Sequence, residues 1–261
     1  MRKYIVFLIF GVVLFSLFTS CQKVIKLELN TSAPQIVIQG NVYDQPGPYT
    51  VKISKSVNFD ESNVYPPVTG ATVIISDNID NSENLTETSS GTYVTSELMG
   101  VPGHSYTLTV KADSQIYIAT STMMNPVEIG SIYFKKNLFG DNLDATIDFT
   151  DLGIISNYYR LIYFVNNVQQ TDINVTDNKL YEGQTITYSI VPQDTDNKLK
   201  TGDDVTIWLE AVDKGVYEYF RTAGRRGGQS ASPANPTSNI SNGALGYFNA
   251  CSVRKIASVV P

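Results

Sequence analysis

The sequence predicts a mainly β protein of two β-sandwich domains, with one short helix in the second. Three observations carry that expectation. Short segments alternate apolar and polar residues with a period of two, Gly, Pro, Asn and Asp separate them, and no helical periodicity fills the gaps in the first half. Many short strands without intervening helices suit a sandwich better than a parallel α/β sheet.

Residues 1–20 read as an export leader, not as part of the fold. Arg2 and Lys3 precede an apolar run from Tyr4 to Phe18. That run is shorter than the roughly 20 residues a spanning helix needs and has the layout of a signal peptide. It leads into Leu17-Phe18-Thr19-Ser20-Cys21, which resembles a lipobox with Phe18 where leucine is usual. Cleavage before Cys21 frees its thiol for a diacylglycerol and its amino group for a further acyl chain. At about 0.8 kcal/mol per buried methylene, two or three long chains hold a protein to a bilayer almost permanently. The alternatives are an ordinary secretory leader with an incidental cysteine, or an uncleaved anchor. Cys21 is therefore the expected lipidation site, and residues 21–34 the lipidated tether.

The expected first domain spans residues 35–125. In Tyr49-Thr50-Val51-Lys52-Ile53-Ser54 the apolar side chains take one face, and Tyr106-Thr107-Leu108-Thr109-Val110-Lys111 repeats the pattern. Ile36 to Val42, Thr72 to Ser76, Thr92 to Ser96 and Ile116 to Thr122 are also strand-like, with turns at Pro46-Gly47-Pro48, Ser90-Gly91 and Pro102-Gly103. Asn125-Pro126 marks the boundary to a second domain over residues 126–261. Its strands are expected at Asp144 to Phe149, Tyr158 to Val165, Thr185 to Val191 and Val205 to Val212. The helix is expected over Asp213 to Thr222, with Asp213 as its cap and Val216, Phe220 and Tyr219 on its apolar face. Residues 223–246 turn to Gly, Ser, Asn, Ala and Pro, as a functional or mobile loop would. A final apolar segment, Leu245 to Val253, returns to the core.

Charge narrows the function classes. The chain carries 19 Lys+Arg against 25 Asp+Glu, and loss of Arg2 and Lys3 with the leader takes the net charge from −6 to −8. Nucleic acid is therefore not an expected partner, because its binding needs clustered cations. With Cys21 lipidated, Cys251 is the one remaining cysteine of the two, so no internal disulfide is expected. Beside Ala250 it reads as a small buried hydrophobe; an intermolecular partner or a reactive thiol is the alternative.

Several segments together resemble a known family. Val37-Ile38-Gln39-Gly40-Asn41-Val42 precedes Gly47-Pro48-Tyr49-Thr50-Val51-Lys52-Ile53-Ser54. Pro67 to Asp77, Gly91-Thr92-Tyr93 and Gly100-Val101-Pro102-Gly103-His104-Ser105-Tyr106-Thr107-Leu108 follow. Ser238-Asn239-Ile240 and Gly243-Ala244-Leu245-Gly246-Tyr247-Phe248 stand near the end. This order resembles the Bacteroidota lipoprotein family of unknown function numbered 4249 (DUF4249), over nearly the whole mature chain. The resemblance implies an outer-membrane envelope lipoprotein, often found beside TonB-dependent transporters. It also implies an Ig-like or transthyretin-like first sandwich, and it brings no established catalytic residues. Gln22-Lys23-Val24-Ile25-Lys26 is basic where surface-exported lipoproteins of this phylum tend to be acidic, so the periplasmic face stays open alongside the cell surface.

No catalytic or cofactor set stands out. His104 is the single histidine and sits in a turn; no Gly-x-Ser-x-Gly elbow accompanies it, and zinc needs more His or Cys ligands than exist. Asp77-Asn78-Ile79-Asp80-Asn81 and Asp194-Thr195-Asp196-Asn197 offer oxygens for calcium. An EF-hand, however, needs Gly at its sixth position and Glu at its twelfth. Those positions hold Ser82 and Thr88, or Leu199 and Val205, so hairpin turns are the expectation, with an irregular calcium site left open. Asp141, Asp144, Asp148 and Asp151 surround one strand and could pair as a glycosidase does only if folding brought two together. Gly224-Arg225-Arg226-Gly227-Gly228 lacks the residues that complete a phosphate loop.

Binding is the better expectation. Tyr and Phe number 16 and 11, and aromatic side chains on loops give contact area at low entropic cost. Phe59 and Tyr65, in the loop from Val57 to Pro67 around Asp60 and Glu61, are candidate partner contacts. Arg225 and Arg226 in the 223–246 loop are the others. The expected role is a non-enzymatic accessory lipoprotein, joined to the membrane by its lipid anchor and serving a TonB-dependent outer-membrane transporter. A structural or adhesive module, or an unrecognised hydrolase, are the alternatives.

Overall fold

The structure, a computed structural model, describes residues 33–58, 61–137, 142–153, 156–192, 198–224 and 235–261. The leader, Cys21, Phe59, Asp141, the Asp194 to Asn197 stretch, Arg225 and Arg226 lie outside the described residues. The first half forms β1 (Ile36–Tyr43), β2 (Thr50–Lys55), β3 (Thr72–Asp77), β4 (Ser82–Asn84), β5 (Thr86–Ser89), β6 (Thr92–Val94), β7 (Ser105–Ala112) and β8 (Gln115–Thr122). The second forms β9 (Ile129–Lys136), β10 (Leu143–Thr150), β11 (Tyr158–Val165), β12 (Val168–Gln169), β13 (Asn174–Asp177), β14 (Thr185–Ile190) and β15 (Asp204–Val212). The helix α1 (Lys214–Ala223) and the final strand β16 (Leu245–Val259) follow.

Alternation does what the sequence leads one to expect. On β7 buried residues alternate with half-exposed ones, and Tyr106, Leu108 and Val110 point into a core with Ile38, Val51, Ile53, Val73 and Ile75. A second core gathers Ala145, Ile147, Phe149, Tyr159, Leu161, Ile186, Val205, Ile207 and Leu209. Each core lies between two layers. One long sheet of nine strands, ordered β12-β11-β15-β16-β1-β2-β6-β5 with β13 beside β11, backs both. The sheet β4-β3-β7-β8 closes the first sandwich, and β14-β10-β9 closes the second.

The two sandwiches share one strand. Residues Pro34–Pro261 form one compact unit, because β16 serves both sandwiches. It pairs in parallel with β1, from Val37↔Leu245 to Tyr43↔Cys251. It then pairs antiparallel with β15, from Ala211↔Ser252 to Asp204↔Val259. Its 15 residues extend roughly 50 Å. Phe248 and Ala250 fill the first core and Ile256 packs on the second. The expected apolar return at 245–253 is thus the first part of a longer strand.

Helix α1 begins where expected. Asp213 Oδ1 accepts from the Val216 backbone N–H at 2.9 Å, while Oδ2 accepts from Ser121 Oγ at 2.5 Å and Thr122 N–H at 3.0 Å. One carboxylate therefore caps the helix and ties it to β8. Val216, Tyr217 and Phe220 are buried against the long sheet, with Tyr219 partly buried beside them.

Candidate functional site

The long sheet has a second face, opposite the cores. On β15, Val205, Ile207 and Leu209 point into the second core, so Trp208 and Glu210 point the other way. The registers Arg160↔Glu210, Glu210↔Val253 and Tyr43↔Cys251 extend that face across β11, β15, β16 and β1. Helix α1 covers one part of it. The uncovered part includes a cleft of about 310 Å³, with Asn41, Tyr43, Thr50, Trp208, Val253 and Lys255 from the sheet and Gln45, Pro46, Pro48 and Tyr49 from the β1–β2 connection.

The cleft is aromatic and polar, and among the described residues no carboxylate lines it. Trp208, the single tryptophan of the chain, is half-buried, with Phe164 5.0 Å away and the Lys255 ammonium 3.8 Å above its ring. Tyr43 and Tyr49 meet edge to face at 5.9 Å, and the Tyr49 hydroxyl donates to the Tyr43 carbonyl at 2.8 Å. Two amides in the lining are loosely held. Asn41 Nδ2 donates to the Tyr247 hydroxyl at 3.5 Å and Gln45 Nε2 to the Val253 carbonyl at 3.4 Å, beyond the usual 2.7–3.2 Å range for N–H···O bonds.

Beneath α1 the same face carries a buried polar cluster. Arg160 Nη1 and Glu210 Oε2 are 3.0 Å apart, and the guanidinium stacks on Phe220 at 3.7 Å. Asn249 Nδ2 lies 3.4 Å from Glu210 Oε2, 3.4 Å from Asn41 Oδ1 and 3.3 Å from Cys251 Sγ. Burial, and then the charge of Glu210, pushes both the Tyr43 phenol and the Cys251 thiol upward. A thiol so raised is a poor nucleophile. Cys251 is fully buried and acts here as a small packed side chain.

The sequence-derived candidates disperse. Tyr65 is 54% exposed and outside the cleft. Asp148 accepts from Thr187, Tyr133 and Ser131 at 2.6, 3.2 and 3.2 Å, and Asp144 accepts from Asn137. Asp77 Oδ1 accepts from the Ile79 and Asn81 backbones and Oδ2 from the Asn81 side chain, as in a hairpin turn. His104 Nδ1 stands 3.5 Å from Asp77 Oδ2.

Asp151 is a hub of the second sandwich. It accepts from Gly153 N–H, Gly183 N–H, Asn157 Nδ2, Asn178 Nδ2 and the Tyr159 hydroxyl. Burial raises its carboxyl pKa, but these donors outweigh that and hold it at about 2, against an ordinary 3.8. A depressed pKa stabilises the fold above the ordinary value, and the contribution fades as pH falls toward 2. Asp151→Asn is expected to cost about 2 kcal/mol at neutral pH. Denaturant titrations between pH 6 and pH 2 are expected to show the gap between variant and wild type narrowing as the acid is titrated; a constant gap would contradict the assignment.

Comparison with known proteins bears on the family. A family model described as a domain of unknown function, DUF4249, matches residues 22–257. No curated protein matches the chain significantly. Among solved structures, a two-domain fibronectin type-III segment of chicken tenascin aligns at 15% identity and a TM-score of 0.22, over 70% of this chain and 92% of that one. A candidate carbohydrate-binding protein of Bacteroides uniformis aligns at 14% identity and a TM-score of 0.24, over 71% of this chain and 93% of that one.

Proposed function

The chain belongs to the DUF4249 family, and on that premise we propose that it is a non-enzymatic binding protein of the cell envelope. It is held to the outer membrane by acyl chains on Cys21 and works beside a TonB-dependent transporter. The observation that carries the binding reading is the cleft on the shared sheet. A floor of β1, β15 and β16 presents an indole and amides, with Tyr49 buried and Tyr43 half-buried beside them and, among the described residues, no charged acid–base pair in the lining. The cleft lies at the far end of β1 from Ile36, roughly 23 Å along the strand from where the chain enters the sheet.

Two measurements test this reading. Detergent extraction of envelopes, followed by affinity isolation of the full-length protein, is expected to recover a transporter. Cys21→Ser is expected to release the protein from the membrane fraction. Repeated isolation of the protein without a transporter, or a Cys21→Ser chain that still sediments with membranes, removes the proposal.

A further inference from the structure

We propose that the cleft is a saccharide subsite, in which a pyranose ring lies against the indole of Trp208; this deepens the binding role above and rests on it. Trp208 is fixed mid-strand, with β11 on one side and β16 on the other. The side chain of Lys255, an exposed residue, lies over its ring with the ammonium drawn to the π-face, and the Phe164 ring flanks it at 5.0 Å. The C–H bonds of a pyranose face carry the same sign of partial charge as that ammonium. They gain from the same face, with burial of apolar surface in addition.

The polar part of the lining selects the ligand class. Sugar hydroxyls donate and accept together, and Asn41 and Gln45 each offer an acceptor and two donors in one plane. Both amides now hold long, weak bonds, so turning them toward a ligand costs little. Thr50 adds a hydroxyl, and Lys255, once displaced from the indole, adds a donor. Among the described residues no carboxylate lines the cleft, which disfavours a divalent cation. A polyphosphate is disfavoured by a single cation on a chain of net charge −6. The volume of about 310 Å³ is at the lower end of ligand pockets, as suits one ring of a longer chain running on over the open face.

Because Trp208 is the single tryptophan, its emission reports on this cleft alone. The full-length protein in a detergent without a sugar headgroup is titrated with short malto-, xylo-, manno- and N-acetylchito-oligosaccharides. At least one is expected to change the emission saturably. By calorimetry Trp208→Ala is expected to weaken that ligand roughly tenfold or more, about 1.4 kcal/mol per decade. Trp208→Tyr keeps an aromatic face and is expected to stay within a few-fold of wild type. A paired Asn41→Ala, Gln45→Ala variant with unchanged melting temperature is expected to weaken the ligand similarly. No emission change at millimolar sugar, or undiminished affinity in a folded Trp208→Ala protein, overturns the proposal. Transporter recovery with no sugar bound would sink the saccharide subsite and leave the accessory role standing. Sugar bound without a transporter would do the reverse.

Discussion

Replacing Glu210 with alanine is expected to lower the free energy of unfolding by about 3–5 kcal/mol. Glu210 is 0% exposed and faces Arg160, whose side chain is 14% exposed and sandwiched between the sheet and Phe220. Burial pushes the guanidinium pKa down, but Glu210 together with the nearby Tyr247, Tyr43 and Cys251 outweighs this, so Arg160 stays charged inside the protein. Removing the carboxylate leaves that charge beside apolar rings with no counter-ion, and the cost is mostly the unpaired cation, not a lost bond. The double replacement Arg160→Met with Glu210→Leu removes both charges and keeps volume. It is expected to recover most of the loss. Urea titration of the variants decides it: a single variant costing under 1 kcal/mol would show that Arg160 is solvated without its partner.

Gly246→Ala is expected to cost about 4 kcal/mol, the sum of backbone strain of about 1–3 kcal/mol and overpacking of about 1–3 kcal/mol. Gly246 opposes Ile38 in the parallel pairing of β1 with β16 and has φ +96°. A Cβ there would meet the Ile38 carbonyl oxygen at 1.9 Å and its carbon at 2.8 Å, and neither strand can withdraw without losing ladder bonds. Gly243 is the internal control. Its φ is +72°, yet a Cβ would meet nothing within 4 Å, so Gly243→Ala is expected to cost only about 1–2 kcal/mol. Melting temperatures of the two variants compare the terms directly. Equal losses would mean that β16 can slide away from β1 at this point.

Much of the fold was legible because strand periodicity is local. Tyr49 to Ser54, Tyr106 to Lys111, Tyr158 to Val165 and Val205 to Val212 each bury the residues that alternation assigns to one face. The helix was legible from Asp213, whose carboxylate does cap it. The missed strands lack that signal. β4, β5, β12 and β13 are two to four residues long, and β9 is an edge strand with half-exposed residues on both faces.

The site was far less legible. Tyr65, an aromatic on a loop, lies apart from the cleft, whereas Trp208 lies within a strand. One clue was present: alternation through Val205, Ile207 and Leu209 turns Trp208 and Glu210 away from the core. What could not be read was that Asn41 and Gln45 on one side, and Val253 and Lys255 on the other, would meet that indole. Nor was the pairing of Arg160 with Glu210 visible across 50 positions.

By itself the sequence determined the class of fold, the main strands, the helix and its cap, and membership of a family. Each depends on residues within a few positions of one another or on ordered short motifs. Tertiary structure alone decided that β16 lies parallel to β1 and antiparallel to β15. That choice joins the two sandwiches into one body, buries the Arg160–Glu210 pair under the helix and opens the cleft at Trp208. A period-two pattern specifies which face of a strand is buried and is silent about which strand lies beside it. The neighbours are set by the combined burial and hydrogen bonding of the whole sheet, which no single segment encodes.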